Sequence, residues 1–180
     1  TYTVSQSSTS PDGFANSLKL DCTTADGSPA AGDHFGIQMK FEGQDLQQLQ
    51  KGTSSAKSVT VSFFVRSNKT GTYTLELDDR DNTRSFSKTY TISSANTWEH
   101  KTVTFAGDTT GALDDDNANS FHLSWWPTAG SNINRGNFTT GLESRTTENR
   151  VPASNLNLSD NTPNEEEQTD CQMKHGQQNN

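Results

Sequence analysis

Large apolar side chains are scarce in this sequence: Leu, Ile, Val and Phe together supply 29 of its 180 residues. With a formal net charge of −8, such a composition borders on that of chains that never collapse. The pattern of the apolar residues, not their number, therefore decides whether this one folds. No apolar run approaches the roughly 20 residues of a membrane-crossing helix, and the opening TYTVSQSSTS has neither the basic start nor the apolar stretch of a secretory signal. A soluble chain without membrane insertion is expected. Basic clusters are also missing, with 14 Lys and Arg against 22 Asp and Glu; a phosphate backbone needs clustered cations, so no nucleic acid is expected as partner. Cysteine is limited to Cys22 and Cys171, without the spacing of a disulfide framework. They form either one bridge joining the two ends or two free thiols, and the thiols are favoured. Asn68, Asn137 and Asn157 each begin an Asn-x-Ser/Thr tripeptide, as chance provides in a chain so rich in these residues.

Catalytic signatures are absent too. The sequence has no Gly-x-Ser-x-Gly, no His-Glu-x-x-His and no phosphate-cradling glycine loop, and His34, His100, His122 and His175 stand singly. No catalytic residue is nominated, and the chain is not expected to be an enzyme.

What is present is alternation. Tyr2/Val4, Leu18/Leu20, Phe35/Ile37/Met39/Phe41, Val59/Val61/Phe63/Val65, Tyr73/Leu75/Leu77, Tyr90/Ile92, Val103/Phe105 and Phe121/Leu123/Trp125 all repeat with period two. A strand buried on one face needs an apolar residue only at every second position, so even a thin supply suffices. Turn signals such as SPDG, ADGSP, SNKTG, DDRDN and SSANT separate the blocks closely enough that antiparallel strands with short loops are implied. The fold expected is all-β, an antiparallel β-sandwich or jelly roll. One segment breaks the rhythm: Leu46 and Leu49 sit at helical spacing, which predicts a short helical crossover over 44–51 that carries the chain between sheets, with Lys51 suiting its C-terminal dipole and Gly52 as left-handed cap. After Trp126 the pattern fades. Residues 127–150 read as long loops and one weak strand, anchored by Ile133, Phe138 and Leu142, and the domain is drawn over 1–160, with 161–180 a polar edge strand or tail.

Two stretches rise above this background. In GDTTGALDDDNAN, residues 107–119, carboxylates and amides crowd one loop with the hard oxygens that calcium prefers. The loop lacks EF-hand spacing, and it reads either as a solvated acidic turn or as a structural calcium site built on Asp114 and Asp116. In SFHLSWWPT, residues 120–128, inward-facing Phe121, Leu123 and Trp125 send His122, Ser124 and Trp126 to the other face. An exposed indole offers a stacking surface for the apolar face of a sugar ring, which makes Trp126, with His122 beside it, the candidate glycan or subunit contact. The competing reading buries Trp126 under residues 127–150.

The segment from FEGQDLQQLQKGTSSAKSVTVSFFVRSNKTGTYTLEL through RDNTRSFSKTYTISSANTWEHKTVTFAGDTTGALDDDN resembles a domain of bacteriophage structural proteins, tail-fibre-like proteins above all, with a carbohydrate-binding-module type of β-sandwich. The resemblance rests on Glu42-Gly-Gln-Asp-Leu46, Ser62-Phe63 with Val65, the hairpin of residues 67–73, Lys88 to Ile92, Trp98, and Phe105 to Asp116. It implies a non-catalytic virion component (tail fibre, appendage or capsid surface) that assembles with copies of itself or other virion proteins and contacts host surface glycans. Two other readings stay open: a carbohydrate-binding module of a larger secreted enzyme, and a capsid cement protein acting only by assembly. Relative to that family a strand upstream of Tyr2 is missing, Pro127 interrupts the aromatic strand, and NEEEQTDCQMKHG places Glu, Gln and Cys where inward apolar residues are expected.

Overall fold

A computed structural model describes residues 1–134, 141 and 143–176. Phe138, Leu142 and Asn137 lie outside the described residues. Ten strands follow in order: β1 (Tyr2–Ser7), β2 (Ser17–Cys22), β3 (His34–Glu42), β4 (Val59–Ser67), β5 (Gly71–Asp79), β6 (Arg84–Ile92), β7 (Glu99–Phe105), β8 (Asn119–Ala129), β9 (Glu143–Ser144) and β10 (Glu165–His175). They form two five-stranded sheets, ordered β1-β2-β10-β4-β7 and β3-β8-β5-β6-β9, antiparallel at every pairing. The expected antiparallel sandwich is what forms.

The period-two blocks supply its interior. Val59, Val61, Phe63 and Val65 of β4 are buried, facing Tyr73, Leu75 and Leu77 of β5 and Phe121, Leu123 and Trp125 of β8 across the sheets. Phe63 meets Trp125 and Tyr90 edge-on at 5.6 and 5.1 Å, and Phe86 meets Phe105 in the same manner at 5.3 Å. Burying one such side chain is worth about 1.5–3 kcal/mol, so a core of few residues must bury each almost completely.

The crossover between β3 and β4 is a 3₁₀ helix, Gly43–Leu49, and it does lead from one sheet to the other. Residues three apart eclipse one another in this tighter helix, which lines up Leu46 and Leu49 against the core. Its cap is left-handed Gln50 (φ 51°, ψ 31°), with Gly52 also left-handed two residues on (φ 82°), and Lys51 does not sit at a dipole in solvent but is buried.

Three expectations are corrected. Met39 is exposed and Phe35 only half-buried, while Ile37 and Phe41 do pack on the core but are half-buried too, because β3 is the outer strand of its sheet and the facing sheet leaves it partly uncovered. Pro127 does not end β8, which continues to Ala129 because the register against β3 shifts between Phe35 and Ile37 and absorbs the irregularity there. Finally, 165–175 is a strand and not a tail, and its first part is interior to the sheet: Glu165–Gln168 pair with β2 on one side while β4 runs along the other, so that among the described residues only the second half of β10 has an open edge. Its acidic start is tolerated because cations flank it: Lys19 of β2 pairs with Glu165, and Arg66 of β4 reaches Glu167 at 2.6 Å. A register shift between Thr169 and Gln172, with Asp170 at φ 53°, then changes the alternation so that Cys171 and Met173 pack on the core. Cys22 and Cys171 are free thiols.

The cost of this arrangement falls on Glu166, which points into the sandwich with 1% exposure. Gln168 donates to one of its oxygens, and the other has no partner among the described residues. Burial pushes its carboxyl up to about 7; burial also raises Tyr2, Tyr73 and Tyr90, with the Glu166 charge adding to it. A carboxyl raised from the ordinary 4.5 to about 7 leaves the folded state unpenalised below pH 4.5, and the penalty grows until it levels off above pH 7. Lowering the pH from 8 to 5 is therefore expected to stabilise the fold through this group by ~2–3 kcal/mol. Chemical denaturation at both pH values checks this, and Glu166→Gln is expected to be the more stable protein at pH 8 and to lose most of the difference.

Candidate functional site

On the far side of the second sheet, strand alternation places a row of polar residues: Gln38 and Lys40 on β3, His122 and Ser124 on β8, Thr74, Glu76 and Asp78 on β5, and Ser85 and Ser87 on β6. Trp126 belongs to this face, as expected, but is not open to ligand, with 3% exposure. Its indole Nε1 donates to Glu76 Oε2 at 3.0 Å, the Arg150 guanidinium lies 4.9 Å from its ring centre, and Ile133 and Val151 pack on it. The competing reading, burial under the following loops, is the one the structure adopts.

Charge explains the covering. Glu76 and Asp78 have no exposed surface and must be neutralised. Arg150 donates to both oxygens of Glu76 at 2.7 and 2.8 Å, and Arg145 to both of Asp78 at 3.0 and 2.7 Å. Burial pushes the Glu76 carboxyl up against the pull of Arg150, whose own pKa the Glu76 hydrogen bond raises against a burial that would lower it. Ser87 Oγ bonds the Arg150 carbonyl and Asn155 ties Thr74 to the Trp126 carbonyl, which staples the segment onto the sheet. His122, next to Asp78, is 9% exposed, and the Asn119 amide donates to its Nε2 at 2.5 Å. Burial lowers the imidazole pKa, which the Asp78 charge only partly offsets.

The acidic loop is not brought together as a metal site. Asp114 and Asp116 are both exposed; the Asp116 carboxylate accepts the Ala118 amide within its own turn, and Asp114 donates its amide to Asp81. Among the described residues no three His, Cys, Asp or Glu side chains are placed to hold a metal ion.

The concavity with binding chemistry lies instead at one end of the sandwich, a cleft of about 250 Å³ lined by Thr1, Tyr2, Asp26, Pro29, Asp33, His34, Phe35, Thr128 and Ser159. Phe35 stacks on Tyr2 (4.3 Å between centres, 23° between planes), and the Tyr2 hydroxyl meets Thr128 Oγ1 at 2.7 Å, which fixes the aromatic pair to β8. Asp26 and Asp33 each spend one carboxylate oxygen on a backbone amide, of Ser28 and Ala30 respectively; their second oxygens have no partner among the described residues. His34 is exposed and rests 5.8 Å from Trp126, so the buried indole supports one wall of the cleft. Sequence reasoning missed this site, because ADGSPAAGDHF reads as a turn followed by an inward-facing Phe; its two aspartates and histidine around a glycine-rich turn were the available signal.

No family model matches the sequence, and no curated protein matches it. Solved structures do resemble it. The enzymatically active domain of bacteriophage CBA120 tailspike protein 4 superposes with a TM-score of 0.50 at 11% identity; the match covers 97% of this chain, which spans only 18% of the tailspike chain. A candidate sugar-binding protein from Bacteroides thetaiotaomicron gives 0.50 at 10% identity, with 97% of this chain and 82% of that one covered. A family 11 carbohydrate-binding module from Clostridium thermocellum, solved with a mixed-linked tetrasaccharide, gives 0.47 at 10% identity over 95% and 81%. At these identities the first two likenesses establish a shared sandwich fold and nothing finer.

Removing a buried Trp costs about 3–5 kcal/mol, and here it would also take a donor from buried Glu76. Trp126→Ala is accordingly expected to lower the melting temperature by ~10 °C, measurable by calorimetry. An exposed stacking platform would have left it nearly unchanged.

Proposed function

We propose that this chain is a non-catalytic glycan-binding β-sandwich whose site is the cleft of Phe35, Asp26, Asp33 and His34. The observation that carries the reading is the company kept there by Phe35: a half-buried ring beside two carboxylates that each keep an oxygen unbonded. A sugar presents that combination in reverse, with an apolar C–H face for the ring and hydroxyl donors for the carboxylates. Fold-level analogy supports it, since the structural neighbours include a candidate sugar-binding protein and a tailspike domain. The proposed carrier is a virion appendage such as a tail fibre, following the sequence resemblance. A larger secreted enzyme is the second carrier. The binding chemistry is the same on either.

One aromatic contact is worth on the order of 1–3 kcal/mol, taking nucleobase stacking as a guide, so a single cleft binds weakly and adhesion requires several copies on one particle. The test is a glycan array probed with the protein tetramerised on a scaffold. Retention on neutral glycans is expected for the wild type, with about tenfold or greater loss in Phe35→Ala and in Asp33→Ala. Absence of retention on every glycan would sink the reading in favour of a protein that acts by assembly alone. Release of shortened sugars from a retained glycan would overturn its non-catalytic part.

A further inference from the structure

The deepest-buried cation described belongs to Lys51, just past the 3₁₀ crossover, with its side chain 3% exposed. Four oxygens surround its Nζ: Asp79 Oδ2 at 2.6 Å, Asp108 Oδ2 at 3.1 Å, and the main-chain carbonyls of Thr110 and Gly111 at 2.8 and 2.7 Å. An ammonium has only three protons to donate, so the cage offers one acceptor more than a lysine can satisfy fully. Both carboxylates are buried, with side-chain exposures of 0% and 6%, and both are held from behind. Asn82 donates to Asp79 through its backbone and side-chain nitrogens, and Arg84 donates to both oxygens of Asp108. Gly111, at φ +73°, has no room for a Cβ, which would fall 2.4 Å from the Asn82 side chain. That left-handed glycine turns two successive carbonyls onto one point.

Two carboxylates and two carbonyls converging on a buried positive charge are hard oxygen donors of the kind calcium takes, about four of its six to eight ligands, with water left to supply the rest once the lysine side chain is removed. We infer that Lys51 is the resident cation of an oxygen cage, an internal ammonium that cross-braces the end of β5, the crossover and the 106–111 loop where a bound calcium ion would otherwise serve. Calcium takes oxygens at about 2.3–2.6 Å, a contraction of a few tenths of an ångström that two carboxylates can supply. The cation expected from the acidic loop is thus covalently built in, centred on Asp108 rather than on Asp114 and Asp116.

The experiment compares melting temperatures in chelator and in millimolar calcium at constant ionic strength. The wild type is expected to be indifferent. Lys51→Ala is expected to lose ~10 °C in chelator and to regain at least half of it with calcium, and the double variant Lys51→Ala/Asp108→Asn to regain nothing. A Lys51→Ala protein that is destabilised yet blind to calcium overturns the inference, as does a wild type that gains as much from calcium as the variant. Should the variant fail to fold in chelator, refolding yield becomes the readout. Recovery with calcium, and none with sodium at matched ionic strength, supports the cage; no recovery, in this variant or in Lys51→Ser, overturns it.

Discussion

Three carboxylates in the C-terminal half of β5, Glu76, Asp78 and Asp79, are withdrawn completely from water, and much of the molecule is arranged around neutralising them. An unpaired charge at such depth costs several kcal/mol. Each therefore recruits a cation from a different part of the chain: Arg150 for Glu76, Arg145 for Asp78, Lys51 for Asp79. Because β5 alternates, Glu76 and Asp78 leave by the outer face and Asp79 by the inner one. The same strand thereby pins the stretch carrying Arg145 and Arg150 over one side of its sheet and ties the crossover helix to the other. Hydrophobic burial alone, with so few large apolar residues, would leave those segments unattached.

This ionic frame also decides the fate of Trp126. Its indole lies between Glu76, to which it donates, and Arg150, which covers its ring. The strand pattern correctly sent it to the face opposite the core; what covers that face is a pairing between residues 74 positions apart in the chain, and no periodicity reveals such a pairing. Its indole also lies against the His34 ring at the cleft wall.

The sandwich was legible because period two survives almost any local context: β4, β5 and β8 bury the residues that alternation selects. Strands at the margins were less so. In β3 the pattern is intact while the burial is weak, since an outer strand has little opposite it. In β10 the pattern is hidden, because a carboxylate and an amide occupy inward positions and a register shift reverses the alternation midway. The cleft was illegible for a related reason. Tyr2, Asp26, Phe35, Thr128 and Ser159 come together only through the sheet order, and each alone has an ordinary explanation.

The position of β10 bears on how this chain acquires its shape during synthesis. One pair of strands, β1 with β2, and another, β4 with β7, are complete long before residue 165 emerges, yet they have no edge in common until β10 enters between them. Without β10 the first sheet divides into two halves, each with a bare row of amide and carbonyl groups facing the gap. Those rows are templates for any extended chain nearby. The acidic opening of β10, matched to Lys19 on one half and Arg66 on the other, works as a key that fits this gap, and neighbouring nascent chains lacking that charge pattern would be poor substitutes.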